Sequence, residues 1–156
     1  MRWTAVLALV GAALAGCAPA LISEPVTERS DGWTFVLERF YDGPNEVHVS
    51  GYTAYEPERG QRFLHAYLKF RNDAAAPRAF GYDSCELDLD GGAVLPSLVV
   101  RYNGIAAVME KNETYAPGEE RARHLTFAYP EGKLPTRLQC AAVTFPIPRA
   151  AATAAR

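Results

Sequence analysis

From residue 33 onward the sequence alternates apolar and polar residues, and clusters of turn-forming residues interrupt it repeatedly. Successive side chains of a strand point to opposite faces, so an alternating run lays one face on a core and leaves the other outside. The clearest run is 62–71, with Leu64, Ala66, Leu68 and Phe70 on one side. Further runs are 33–41, 46–55, 85–89, 93–101, 121–129 and 136–145. Between them lie Asp42-Gly43-Pro44-Asn45, Glu56-Pro57-Glu58-Arg59-Gly60, Asn72-Asp73 with Pro77, Asp90-Gly91-Gly92, Ala116-Pro117-Gly118 and Pro130-Glu131-Gly132. The Asp90-Gly91-Gly92 break is a hairpin signal. Residues 105–111 are the one segment read as a short helix, and long helical periods are absent, which excludes an α/β fold. The expected fold is all-β, an antiparallel β-sandwich of seven or eight strands, with a closed barrel as the alternative.

The start of the chain has a different character. Arg2 precedes an apolar run over 5–14, and Leu14-Ala15-Gly16-Cys17 ends it. A charged start, a short apolar stretch and small residues before a cleavage point form a secretory signal. The run is too short to span a bilayer, which takes about 20 residues. With its terminal cysteine the stretch resembles a bacterial lipobox. That resemblance implies cleavage after residue 16 and acylation of Cys17, with palmitate-type chains. Several chains hold a protein to a membrane effectively permanently. Ala18 in place of aspartate then implies the outer membrane, with the domain facing the periplasm of the cell envelope.

Removing 1–16 deletes one arginine and takes the net charge from −2 to −3. The remaining 140 residues, from a chain 49% hydrophobic, suffice for one packed domain. No basic stripe exists, which excludes nucleic acid as the partner. Residues 17–31, with Pro19 and Pro25, read as the acylated cysteine and a tether. The sandwich is expected over 32–148, and the alanine-rich 149–156 reads as a disordered tail.

Three cysteines occur, and lipidation of Cys17 leaves Cys85 and Cys140. In an oxidising compartment an even remainder reads as a disulfide. Both cysteines fall on the apolar phase of their segments, Cys85 with Leu87 and Leu89, Cys140 with Leu138. Closing so long a loop stabilises by roughly 4 kcal/mol in the chain-entropy picture. Two separately buried thiols are the alternative.

Three pieces carry a resemblance at the level of the domain: 68–72 (Leu-Lys-Phe-Arg-Asn), 86–91 (Glu-Leu-Asp-Leu-Asp-Gly), and 116–119 (Ala-Pro-Gly-Glu) before a strand ending Tyr129-Pro130. In that order they resemble immunoglobulin-like domains of small bacterial lipoproteins and secreted antigens of unknown function. The resemblance covers about 33–145, implies the fold, and transfers no functional residue.

Three chemistries have residue patterns that this sequence meets only in part. A metal site needs several converging donors, but His48, His65 and His124 each sit opposite the apolar phase and read as solvated surface groups. A symmetric hairpin across the loop at 56–61 would set His48 opposite Lys69 and His65 opposite Tyr52, and a cation there repels a metal ion. Glu86, Asp88, Asp90 and Gly91 imitate the opening of a calcium loop, but Ser97 stands where the bidentate glutamate belongs. No nucleophile elbow, phosphate-cradling glycine loop or Cys-x-x-Cys pair occurs, so no catalytic residue is assigned.

What remains is aromatic. In that symmetric hairpin His48, Ser50 and Tyr52 share a face with His65, Tyr67 and Lys69, and tyrosine suits recognition surfaces. The expectation is a lipid-anchored protein with a non-catalytic binding or assembly role and no cofactor. Its partner through this face is an envelope protein or a glycan. A periplasmic metal-handling protein and a small hydrolase are the alternatives.

Overall fold

The computed structural model describes residue 22 and residues 24–43, 46–48, 54–101 and 111–147. In chain order its strands are β1 (Val26–Ser30), β2 (Trp33–Asp42), β3 (Val47–His48), β4 (Ala54–Tyr55), β5 (Gln61–Asn72), β6 (Arg78–Gly81) and β7 (Cys85–Leu89). They continue as β8 (Gly92–Val94), β9 (Leu98–Arg101), β10 (Asn112–Tyr115), β11 (Glu120–Pro130), β12 (Pro135–Cys140) and β13 (Val143–Pro146). One sheet has the order β1-β2-β5-β11-β9 and a second has the order β13-β12-β7-β8. The ribbons β10-β6 and β3-β4 complete the described strands. The fold is an all-β antiparallel sandwich.

Alternation decides which side chains meet between the two sheets. Leu64, Ala66, Leu68 and Phe70 of β5 face inward beside Leu125 and Phe127 of β11, and all six are essentially inaccessible. The second sheet supplies Leu87, Leu138, Val143 and Phe145. On β2 the inward set is Trp33, Phe35, Leu37 and Phe40, whose last step is three residues. The register shift between Leu37 and Arg39 accounts for it: Glu38 is the extra residue of a bulge, and the alternation resumes on the opposite phase. Aromatic rings fill the end near Trp33, with Phe80 at 5.1 Å and Tyr115 at 5.3 Å, both edge-on.

Cys85 and Cys140 stand directly opposite each other in the β7–β12 register and form a disulfide, as their count and phase indicated. It staples two neighbouring strands of one sheet, and both residues are fully buried. Asn72, read as a turn residue, is a buried hub. Its amide donates to the carbonyls of Ala76 (2.8 Å) and Tyr115 (3.1 Å), and its side-chain oxygen accepts from the Ala74 amide (3.0 Å). One side chain thereby ties two loops at the same end of the sandwich.

Several sequence expectations are corrected. Val26–Ser30, assigned to the tether, forms β1 and pairs with β2 through a two-residue turn at Asp31-Gly32. Both turn residues have positive φ, 49° and 73°, as the primed hairpin turns require. The described residues of the segment 46–55 do not pair with β5. Its ends fold on themselves as β3 and β4, because β2 and β11 already occupy both edges of β5. The run 93–101 splits at Pro96, which has no N–H for a ladder: β8 stays in the second sheet and β9 crosses to the edge of the first. The run 136–145 splits at Ala141-Ala142 into β12 and β13. The expected strand count is exceeded by these divisions and by the short ribbons. The expected helix at 105–111 lies, except for Lys111, outside the described residues, as do Cys17 and the tail at 149–156.

Candidate functional site

The outer face of the five-stranded sheet, turned away from the second sheet, carries most of the chemistry. Its lower half is apolar: Val47, Phe63, Leu98 and Val100 form a second buried cluster, with Ala128 packed against it. Phe63 lies on the outward phase of β5, and His65, Tyr67 and Lys69 follow on the same phase. The cross-strand partners are Thr126 for His65 and His124 for Tyr67. On the other side Tyr41 pairs with His65, and Arg39 with Tyr67.

This register stacks four rings. Tyr41 lies on His65 at 4.9 Å between centroids, and Tyr67 lies on His124 at 4.2 Å and 12°. The hydroxyls of Tyr41 and Tyr67 are 3.3 Å apart. Nδ1 of His65 and Nε2 of His124 meet at 2.9 Å, so one of the two carries the hydrogen between them. The Thr126 hydroxyl lies 3.2 Å from the first nitrogen and 3.3 Å from the second. His65 is 1% exposed, and His124 and Tyr67 are half-buried. Burial, then the neighbouring His65, depress the His124 imidazole to about 3, so it is neutral at pH 7.

The expectation of three scattered, solvated histidines is therefore overturned for two of them. His65 looked surface-facing because it opposes the apolar phase of β5, but on that face it is enclosed by the rings of Tyr41, Phe63 and His124. Of the six predicted contact residues, β5 brings His65, Tyr67 and Lys69 together, and His48 enters the separate β3. Ser50 and Tyr52 lie outside the described residues. Lys69 faces Val36 of β2 and Ala122 of β11 in place of His48. Its ammonium bonds Glu38 at 2.7 Å, with Glu120 at 3.9 Å. The sequence reading missed Tyr41, His124 and Thr126 as neighbours of this patch; the polar phase of 121–129 was the available signal.

Towards the Asn72 end the same face becomes polar and reaches solvent. Lys69, Arg71 and Glu120 keep 38, 39 and 42% of their side-chain surface exposed. There Arg71 and Thr34 both bond the Asp73 carboxylate. Below the cluster, a groove of about 390 Å³ runs between Tyr55, Phe63, Leu98 and Ala128, with Glu56 and Glu58 on its rim.

A second polar cluster lies inside the sandwich. Glu113 of β10 accepts from Arg123 of β11 through Nε (2.9 Å) and Nη2 (2.6 Å), and also from the Tyr82 hydroxyl. Tyr82 and Tyr115 hydroxyls are 2.7 Å apart. Burial raises the Glu113 carboxyl, but its bonds from Arg123 and Tyr82 outweigh this and hold it below the usual range. Burial pushes the Tyr115 phenol up to about 12 and Tyr82 higher still. These groups are locked to one another, and the cluster reads as internal structure. Among the described residues no group of three or more His, Cys, Asp or Glu converges on one point.

The fold has counterparts among solved structures. The chain is similar to an uncharacterised β-sandwich protein from Clostridium difficile 630, with a TM-score of 0.52 and 14% identity, over 74% of this chain and 81% of that one. A functionally unknown protein from Listeria monocytogenes EGD-e is also similar, with a TM-score of 0.49 and 13% identity, over 76% of this chain and 70% of that one. The first supports the β-sandwich and extends to nothing beyond the fold. No protein-family model matches the sequence, and no curated protein matches it significantly.

Proposed function

We propose that this protein is a lipid-anchored module of the bacterial cell envelope with a non-catalytic binding or assembly role. Attachment is through acylated Cys17 in the outer membrane, and the sandwich faces the periplasm. The buried Cys85–Cys140 disulfide supports an oxidising compartment, because such bonds are rare where thiols are kept reduced. The lipobox-like Leu14-Ala15-Gly16-Cys17 supports the anchor.

The observation that carries the binding role is the outer sheet face. It runs from solvent-reaching Lys69, Arg71 and Glu120 to half-buried Tyr67, Tyr41 and His124. Charged groups around aromatic rings that keep a polar tip are the composition of a recognition surface. The partner is an envelope protein or a glycan that meets this face. A photo-crosslinking residue placed at Lys69 of the full chain, activated in cells, tests the assignment. One discrete crosslinked partner, lost when the same residue is moved to exposed Lys133 at the opposite end of the sandwich, is the expected result. Equal capture from both positions would refute it.

A further inference from the structure

We propose that the paired imidazoles of His65 and His124 form a two-coordinate site for a closed-shell monovalent metal ion, copper(I) or its redox-inert stand-in silver(I). Two ring nitrogens reach one point from adjacent strands, Nδ1 from β5 and Nε2 from β11, 2.9 Å apart. Neutral imidazole is the ligating form, and the 2.9 Å contact between the two ring nitrogens leaves one of them with its lone pair as the acceptor. One hydrogen lies between the two nitrogens, and the ion takes its place. That hydrogen moves to the far nitrogen of the same ring, so each histidine keeps one N–H and no net proton is released.

The environment selects the class of ion. Zinc in structural sites wants four donors, and none of the described carboxylates or thiols joins this pair. A divalent ion held by neutral nitrogens would bury two uncompensated charges, at several kcal/mol each. A closed-shell monovalent ion accepts two nitrogens in a line and brings a single charge. Tyr41 and Tyr67, stacked on the two imidazoles, line that charge with ring faces. Lys69, further along the same phase of β5, is ion-paired with Glu38 at 2.7 Å.

The fit needs a small movement. Metal–imidazole bonds of about 2 Å each place the two nitrogens roughly 4 Å apart, so the rings must part by about 1 Å. His124 is half-buried, whereas His65 is enclosed, so His124 is the ring that gives way.

The test uses the full chain in detergent, with Cys17 carrying its acyl group or alkylated where it is free. It is titrated with silver(I), and anaerobically with copper(I) buffered by bicinchoninate. The expected result is one ion per chain, with nitrogen-15 shifts confined to Nδ1 of His65 and Nε2 of His124. H65Q and H124Q should each weaken binding at least about a hundredfold, beyond the loss that outer partners of a metal site cause. Absence of saturable binding, shifts at His48 instead, or binding retained in both variants would overturn the proposal. Displacement of silver(I) by an equal concentration of zinc(II) would overturn the choice of a monovalent ion. The wild-type shifts decide the matter even if a variant fails to fold.

Discussion

Replacing Glu113 by glutamine should be among the most damaging isosteric changes in the molecule. The Glu113 and Arg123 side chains are 3% and 7% exposed, so neither charge has water to fall back on. Glutamine keeps the shape, removes the negative charge, and turns an amide N–H₂ towards a guanidinium that has donors alone to offer. Breaking one side of such a buried pair leaves the other charge uncompensated and costs about 3–5 kcal/mol. The measurement is urea unfolding at pH 7, where E113Q should lower the midpoint with an unchanged slope. The double variant E113M/R123M removes both charges, leaves Tyr82 bonded to Tyr115, and should recover most of the loss. Acid supplies an independent check. The Glu113 carboxyl is held below the ordinary glutamate value of 4.5 in the fold, so the unfolded chain takes up this proton first as the pH drops. Its contribution is full above pH 4.5 and is lost as the pH falls through the lower folded value, a dependence that E113Q should lack. An E113Q loss under about 1 kcal/mol, or a double variant no better than the single one, would show that water reaches the pair and would refute the reasoning.

Three further outcomes are expected. C85S/C140S should lose roughly 4 kcal/mol; in the wild type both thiols should resist reduction until the fold opens, because both residues are 0% exposed, as followed by alkylation and mass. G32A should cost about 1–2 kcal/mol in denaturant unfolding, since the position has φ +73° and a Cβ there meets Arg78 Nη1 at 2.7 Å. C17S should abolish incorporation of labelled palmitate and move the protein from the membrane to the soluble fraction; unchanged fractionation would refute the anchor.

Turn chemistry and period two made much of the fold legible. The alternation at 62–71 marks the central strand β5, and Asp90-Gly91 marks the β7–β8 hairpin, because both signals act within a few residues. The Asp31-Gly32 hairpin carried the same signal, but it was masked by a preceding segment whose exposed strand, Val26–Ser30, shows little apolar alternation. Ala141-Ala142 carries no turn signal at all, and there a non-glycine residue takes φ 51° to let β12 and β13 pair.

By itself the chain determined what acts locally or by counting: an all-β sandwich, the inward phase of its strands, and the Cys85–Cys140 pair. Whether a phase opposite the core is wet or dry is not a local property. His65 reads as solvated from its own strand, and it becomes buried because Tyr41 of β2, Phe63 of β5 and His124 of β11 pack their rings around it. Which strand lies beside which is likewise set by competition for sheet edges. That competition gave the two sides of β5 to β2 and β11, and left Val47–His48 to pair with Ala54–Tyr55. Tertiary pairing alone therefore brought His65 to His124 and Glu113 to Arg123, 59 and 10 residues apart along the chain.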